Sequence, residues 1–247
     1  MKKIIFLLLP FLSCSILTSD MQEYLNETQE LVKQKKYKEA NERYIWFHNH
    51  SLEYEPAMSG VRTSFALSYW KSLADVYSPA LQTMKEIRDK KTALLIDSNA
   101  TTSLFADVTA FNRVFDEETK TVELFKKIDS LNHDKAKKCW LYAKDALFKY
   151  KQYDVLRNYI GNPIVEFQSI IEKRKMLLEP PGTSNKEALN SLQEYANENF
   201  VENCINLIHF SLAINDEESA NKIKNEALQI VKDNRLETIE TGKKESS

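Results

Sequence analysis

Ala40, Tyr44 and Phe47 follow the turn residues Lys35-Lys36-Tyr37 at i, i+4 and i+7, a spacing that lays all three along one stripe of a helix. The signature returns twice. Lys151-Gln152-Tyr153 repeats the turn chemistry behind a helix carrying Trp140, Ala143 and Leu147, with Leu156 where Ala40 stood. Ala220 repeats the small residue, with Cys204, Leu207, Ile208 and Ser211 on the helix before it and Ala227 further along its own. Helical hairpins that recur along a chain bury their apolar faces against one another. Only four glycines and six prolines occur in 247 residues, which is too little turn chemistry for a sandwich or barrel of short strands. The expected fold class is therefore all-α, built of antiparallel helical hairpins stacked into a solenoid.

Taken in order, a first helix is expected over Asp20 to Gln34, facing inward with Tyr24, Thr28, Leu31 and Val32. A second runs to about Tyr54. Met58, Val61, Phe65 and Tyr69 then keep helical spacing, with Trp70, Leu73 and Tyr77 on a neighbouring face. Gly60 within that run costs about 1 kcal/mol relative to Ala, so a close helix crossing is expected to offset it. Ser78-Pro79 is a helix start, and Leu81, Met84, Ile87 and Leu94 form the expected core stripe behind it. A turn at Asp97–Ala100 precedes helices near Thr102–Phe115 and Glu117–Ile128, and Asn132-His133-Asp134 opens the next. Gly161-Asn162-Pro163 stops one helix and starts another that ends near Leu178. Residues 180–184 read as a linker. The domain spans 20–235, and the polar residues 236–247 read as a frayed, flexible tail.

Residues 1–19 read as a secretory signal. Met1-Lys2-Lys3 is a basic start, Ile4 to Leu12 is apolar, and small polar residues follow; nine apolar residues are too few to span a bilayer. Two exits fit. Ser13 and Ser15 suit ordinary cleavage after Ser15, giving a periplasmic or secreted protein. Leu12-Ser13-Cys14 resembles a bacterial lipobox, which implies a lipid-anchored chain beginning at Cys14, although Phe11 departs from the leucine usual there.

The turn at Tyr37, the alanine at Ala40 and the aromatic at Tyr44 resemble the tetratricopeptide repeat, a helix–turn–helix unit of about 34 residues. Tyr24 stands where that family places tryptophan and Leu31 where it places tyrosine. Pro56 comes 16 residues after Ala40, where 12 is usual. The resemblance implies a right-handed solenoid that binds a protein or peptide. The run from Tyr37 to Asp89, with Trp46, Gly60-Val61-Arg62, Trp70 and Arg88-Asp89, also resembles a set of bacterial exported repeat proteins, and that likeness implies no activity.

Catalytic chemistry finds little purchase. There is no G-x-S-x-G and no glycine-rich phosphate loop, so no catalytic residue and no cofactor are expected. His48 and His50 lie about 200° apart around a helix and cannot share a metal there, and no Cys/His cluster has zinc spacing, so no metal is expected. Cys139 and Cys204 sit beside apolar residues and read as buried thiols, with a disulfide between them the alternative in an oxidising compartment. The net charge is −2 without a basic tract, which argues against nucleic acid as a partner. Contact with a membrane is expected only through a lipid on Cys14. Arg62 and Arg88 carry two readings. Either they form structural ion pairs, with Asp75 or Asp89 as partner, or Arg88 and Arg62 join Trp46, Tyr69 and Trp70 in lining a concave partner-binding groove. The expected function is an exported scaffold binding a protein or peptide in the cell envelope. An all-helical small-ligand binder or enzyme, and a structural spacer, are the alternatives.

Overall fold

A computed structural model describes residues 21–97, 101–179 and 186–242. The expected signal with Cys14, the turn residues 98–100 and the linker at 180–184 lie outside them. Among the described residues all regular structure is helical: α1 (Met21–Lys33), α2 (Tyr37–Tyr54), α3 (Ser59–Thr63), α4 (Phe65–Ala74), α5 (Ser78–Asp97), α6 (Thr102–Val114), α7 (Glu118–Leu131), α8 (His133–Lys149), α9 (Tyr153–Leu156), α10 (Pro163–Leu178), α11 (Lys186–Ala213), α12 (Glu217–Ile230) and α13 (Asn234–Glu237), with a 3-10 turn at Pro56–Met58. Neighbours in sequence pack on each other, as in α1/α2, α5/α6, α7/α8, α10/α11 and α11/α12. No helix among the described residues is long and apolar enough to cross a membrane.

Four of the connections share one geometry. Lys35, Asp116, Lys151 and Asn215 each take positive φ, between 50° and 62°. In every case the next residue's N–H donates to the carbonyl five positions back: Lys36 to Leu31, Glu117 to Asn112, Gln152 to Leu147 and Asp216 to Ser211. This Schellman closure satisfies the orphan carbonyls of the first helix. The left-handed backbone costs an L-residue about 1–2 kcal/mol, which the two recovered hydrogen bonds offset. Five positions beyond each left-handed residue lies a buried side chain: Ala40, Thr121, Leu156 and Ala220. The Asp116 turn has no lysine, tyrosine or alanine in the matching places, which is why spacing alone passed over it.

Two apolar clusters fill the interior. One runs from Met21 and Leu25 through Tyr44, Phe47, Trp70 and Met84 to Ala110 and Phe111. The other gathers Phe105, Val108, Phe125, Leu147, Phe167, Phe200, Leu207 and Leu236. Helix α6 serves both, turning Phe105 and Val108 one way and Ala110 and Phe111 the other.

Several expectations are corrected. The run behind Pro56 is not continuous: Ser64, at φ −126° and ψ −93°, separates α3 from α4, and Phe65 is exposed rather than core. A Cβ placed on Gly60 would meet nothing within 4 Å, so no close crossing explains that glycine. The buried stripe of α5 is Ala80, Met84, Arg88 and Leu95, while Leu94 faces out. The tail does not fray where expected. Leu236 is fully buried, Lys224 Nζ donates to the carbonyls of Glu237 and Ile239, and Asn221 Nδ2 donates to the carbonyl of Thr241. Cys139 and Cys204 are free and buried, as expected.

Candidate functional site

The five residues expected to line a groove separate by burial. Trp70 is 1% exposed, donating its indole N–H to Asn41 Oδ1 at 2.8 Å and stacking on Tyr44 at 6.1 Å between centroids. Arg62 and Arg88 are also buried, whereas Trp46 and Tyr69 are half-buried. Trp46 belongs to a row of rings along α2, lying 4.9 Å from Tyr24 and 5.4 Å from both His50 and Tyr54. These side chains therefore do not line one groove. The large apolar ones are spent holding helices together.

Arg62 works inside the protein. Its guanidinium takes both carboxylate oxygens of Asp107 on α6, one of them at 3.2 Å, and donates to the His48 carbonyl at 3.2 Å. Lys91 on α5 donates to Asp107 as well and to His48 Nε2 at 2.8 Å. Neither Asp75 nor Asp89 is the partner of Arg62: Asp75 pairs with Lys71, and Asp89 with Arg88. Arg88 also reaches Glu117 in the turn between α6 and α7.

The electrostatics follow from this crowding. Burial, then Lys91 and Arg62, push the His48 imidazole down to about 3, outweighing Asp107. His48 is thus neutral, with Nε2 as acceptor and the proton on Nδ1, which has no partner among the described residues. Burial alone would raise the Asp107 carboxyl, but Arg62 and Lys91 hold it below the usual carboxylate range. Burial lowers the Lys91 ammonium, only partly countered by Asp107. Two cations face one carboxylate, so the cluster is a net-positive lock among α2, α3, α5 and α6.

The missed members carried a readable signal. Asp107 sits between Phe105 and Val108, and it is the one charged residue among the buried positions of α6. Lys91 interrupts the Ala80–Met84–Leu95 stripe in the same way. Charges on a core face need partners, and Asp107 on α6, Lys91 on α5 and Arg62 on α3 supply them to one another.

The open clefts among the described residues include two along helix seams. One, of about 380 Å³, runs between α5, α6 and α7 with Arg88, Asn112 and Lys127 in its walls. The other, of about 490 Å³, lies between α8 and α11 and is bounded at α13 by Arg235. Asp145 and Lys149 form one wall of this second groove and Asn199, Glu202, Asn203 and Asn206 the other. Among the described residues no group of three or more His, Cys, Asp or Glu side chains is placed to hold a metal ion. No protein-family model, no curated protein and no solved structure matches the chain.

Proposed function

We propose that this chain is an exported, non-catalytic scaffold, a tetratricopeptide-like right-handed solenoid of helical hairpins, that binds a protein or peptide partner in the cell envelope. The observation that carries this reading is the groove between α8 and α11, where Asp145 and Glu202 are exposed and paired with no other described residue. Polar groups left unspent along an open groove suit recognition of another chain. The buried set of His48, Arg62, Lys91 and Asp107 does not suit catalysis, because His48, Arg62 and Asp107 are shut away from solvent and the charges pair with one another. The recurring turn at Lys35, Asp116, Lys151 and Asn215 supports the repeat reading, and the basic start and apolar run of residues 1–19 support export.

Site-specific photocrosslinking in the native host tests the partner. A photoreactive residue at Asn206 is expected to give one discrete adduct that the same residue at Lys222, on α12, does not give. Absence of any adduct from either position would leave the spacer as the better reading. Intact mass of the mature protein tests the address. A diacylglyceryl adduct on Cys14 or a chain beginning at Ile16 is expected, and a cellular chain that retains Met1 would overturn export.

A further inference from the structure

Asn199, Asn203 and Asn206 stand at i, i+4 and i+7 on α11, so one face of that helix presents three carboxamides to the groove. Asparagine is a poor residue for a helix interior, because its side chain competes for backbone hydrogen bonds. Three on one face cost helix stability. They are also poorly spent at home: Asn203 Nδ2 donates to the Asn199 carbonyl at 2.6 Å, leaving Oδ1 as a free acceptor, while the carboxamides of Asn199 and Asn206 bond no described residue.

A carboxamide carries an acceptor and two donors on one planar group, the complement of a peptide bond. We infer that the groove between α8 and α11 binds an extended, basic polypeptide segment of the partner by its main chain, with Asn199, Asn203 and Asn206 as the ladder. This inference rests on the partner-binding reading above and names its chemistry. The spacing fits. Four residues of helix advance about 6 Å, and two residues of extended chain advance about 6.6 Å, so Asn199 and Asn203 meet successive peptide groups on the same side of a strand. A groove of about 490 Å³ is of ordinary size for a bound ligand.

The charge of the segment follows from the walls. Lys149 is paired with Glu118, and Arg235 with Glu198 and Asp233. Asp145 and Glu202 pair with no cation among the described residues. The walls and their ion-pair partners therefore set five carboxylates against two cations, which favours lysine or arginine on the segment and repels acidic ones.

The test titrates the intact, isotope-labelled chain with an eight-residue peptide alternating lysine and serine, followed through the side-chain amide resonances of the three asparagines. Saturable shifts at all three are expected. Methylating alternate backbone nitrogens of the peptide removes main-chain donors but keeps its charge, and is expected to weaken binding at least tenfold. Replacing its lysines by glutamates is expected to do the same, as is the double variant Asn199→Ala/Asn206→Ala, which raises helix propensity and so keeps α11 folded. Equal affinity of the N-methylated peptide would overturn the ladder and leave only charge attraction. Shifts centred elsewhere, for example at Trp46, or no saturable shift at millimolar peptide, would overturn it too. Crosslinking at Asn206 that persists in an Asn199→Ala background would then leave partner binding standing without the ladder, whereas loss of both signals removes both.

Discussion

The Arg62 guanidinium grips both carboxylate oxygens of Asp107, 45 positions further along the chain and on a different helix. Both side chains are more than nine-tenths buried, and Lys91 shares the same carboxylate. A buried pair of this kind adds little net stability over an apolar packing, but breaking it strands charge. Asp107→Ala leaves two cations without their anion and is expected to cost about 3–5 kcal/mol, read as a fall in the urea midpoint at unchanged slope. Asp75→Ala, at an exposed ion pair, is expected to cost less than about 1 kcal/mol.

Acid should weaken the fold through His48. Its ordinary value near 6.5 falls to about 3 in the native protein, so below pH 6.5 the unfolded chain binds a proton that the folded chain refuses. Stability from this group is complete above about pH 6.5 and is lost by about 1.4 kcal/mol per pH unit on the way down to about pH 3. Asp107, held below its ordinary range, adds a loss of the same sign only below about pH 4. His48→Gln is expected to flatten the first dependence. Urea melts of both proteins at pH 7.5, 5.5 and 4.5 measure it, and parallel pH profiles would contradict the assignment.

Trp70→Phe removes the donor for Asn41 Oδ1, whose residue is itself buried. The stranded acceptor is expected to cost about 1–3 kcal/mol in thermal or chemical denaturation. Trp46→Phe, on the half-buried row along α2, is expected to cost less than about 1 kcal/mol. Reversal of that order would mean that the burial pattern does not describe the protein in solution.

The left-handed turns offer stabilising substitutions. Lys35→Gly and Lys151→Gly relieve a positive φ and are each expected to gain about 0.5–1 kcal/mol, the strain relieved less the entropy glycine adds to the unfolded chain. Lys151→Val, β-branched at the same φ, is expected to destabilise. Denaturation midpoints of the single and paired glycine variants check both the sign and the additivity.

Leu236→Ala tests the docked C-terminal segment. Complete burial of Leu236 predicts a loss of about 2–5 kcal/mol, whereas a frayed tail would show none.

Helix class and many helix ends were legible because capping, proline and apolar period act within a few residues. The end of α2 at Tyr54 and the Pro163–Leu178 helix fall where local signals place them. Which side of a helix is buried was less legible. On α5, Leu81 and Leu94 look more apolar than Arg88, yet Arg88 is the side chain enclosed, because Glu117 from the following turn satisfies it. The aromatic groove failed for a related reason: a tryptophan reads the same in a core as on a surface, and only neighbours distinguish the two. The asparagine face of α11 was overlooked because polar residues at helical spacing read as a solvated face unless a second wall stands opposite.

By itself, then, the sequence determined the all-helical class, most helix boundaries, the buried thiols and the hairpin signatures at Lys35, Lys151 and Ala220, since these rest on periodicity and on bonds closed within six residues. Tertiary structure alone decided that Asp107 is the partner of Arg62, that Trp70 is core, that residues 234–242 dock on α12, and that Asn199, Asn203 and Asn206 face Asp145 across a groove. Each of these depends on how separate helices cross. Crossing is set by the sum of many small packing contacts over the whole interior, which no local stretch of residues encodes.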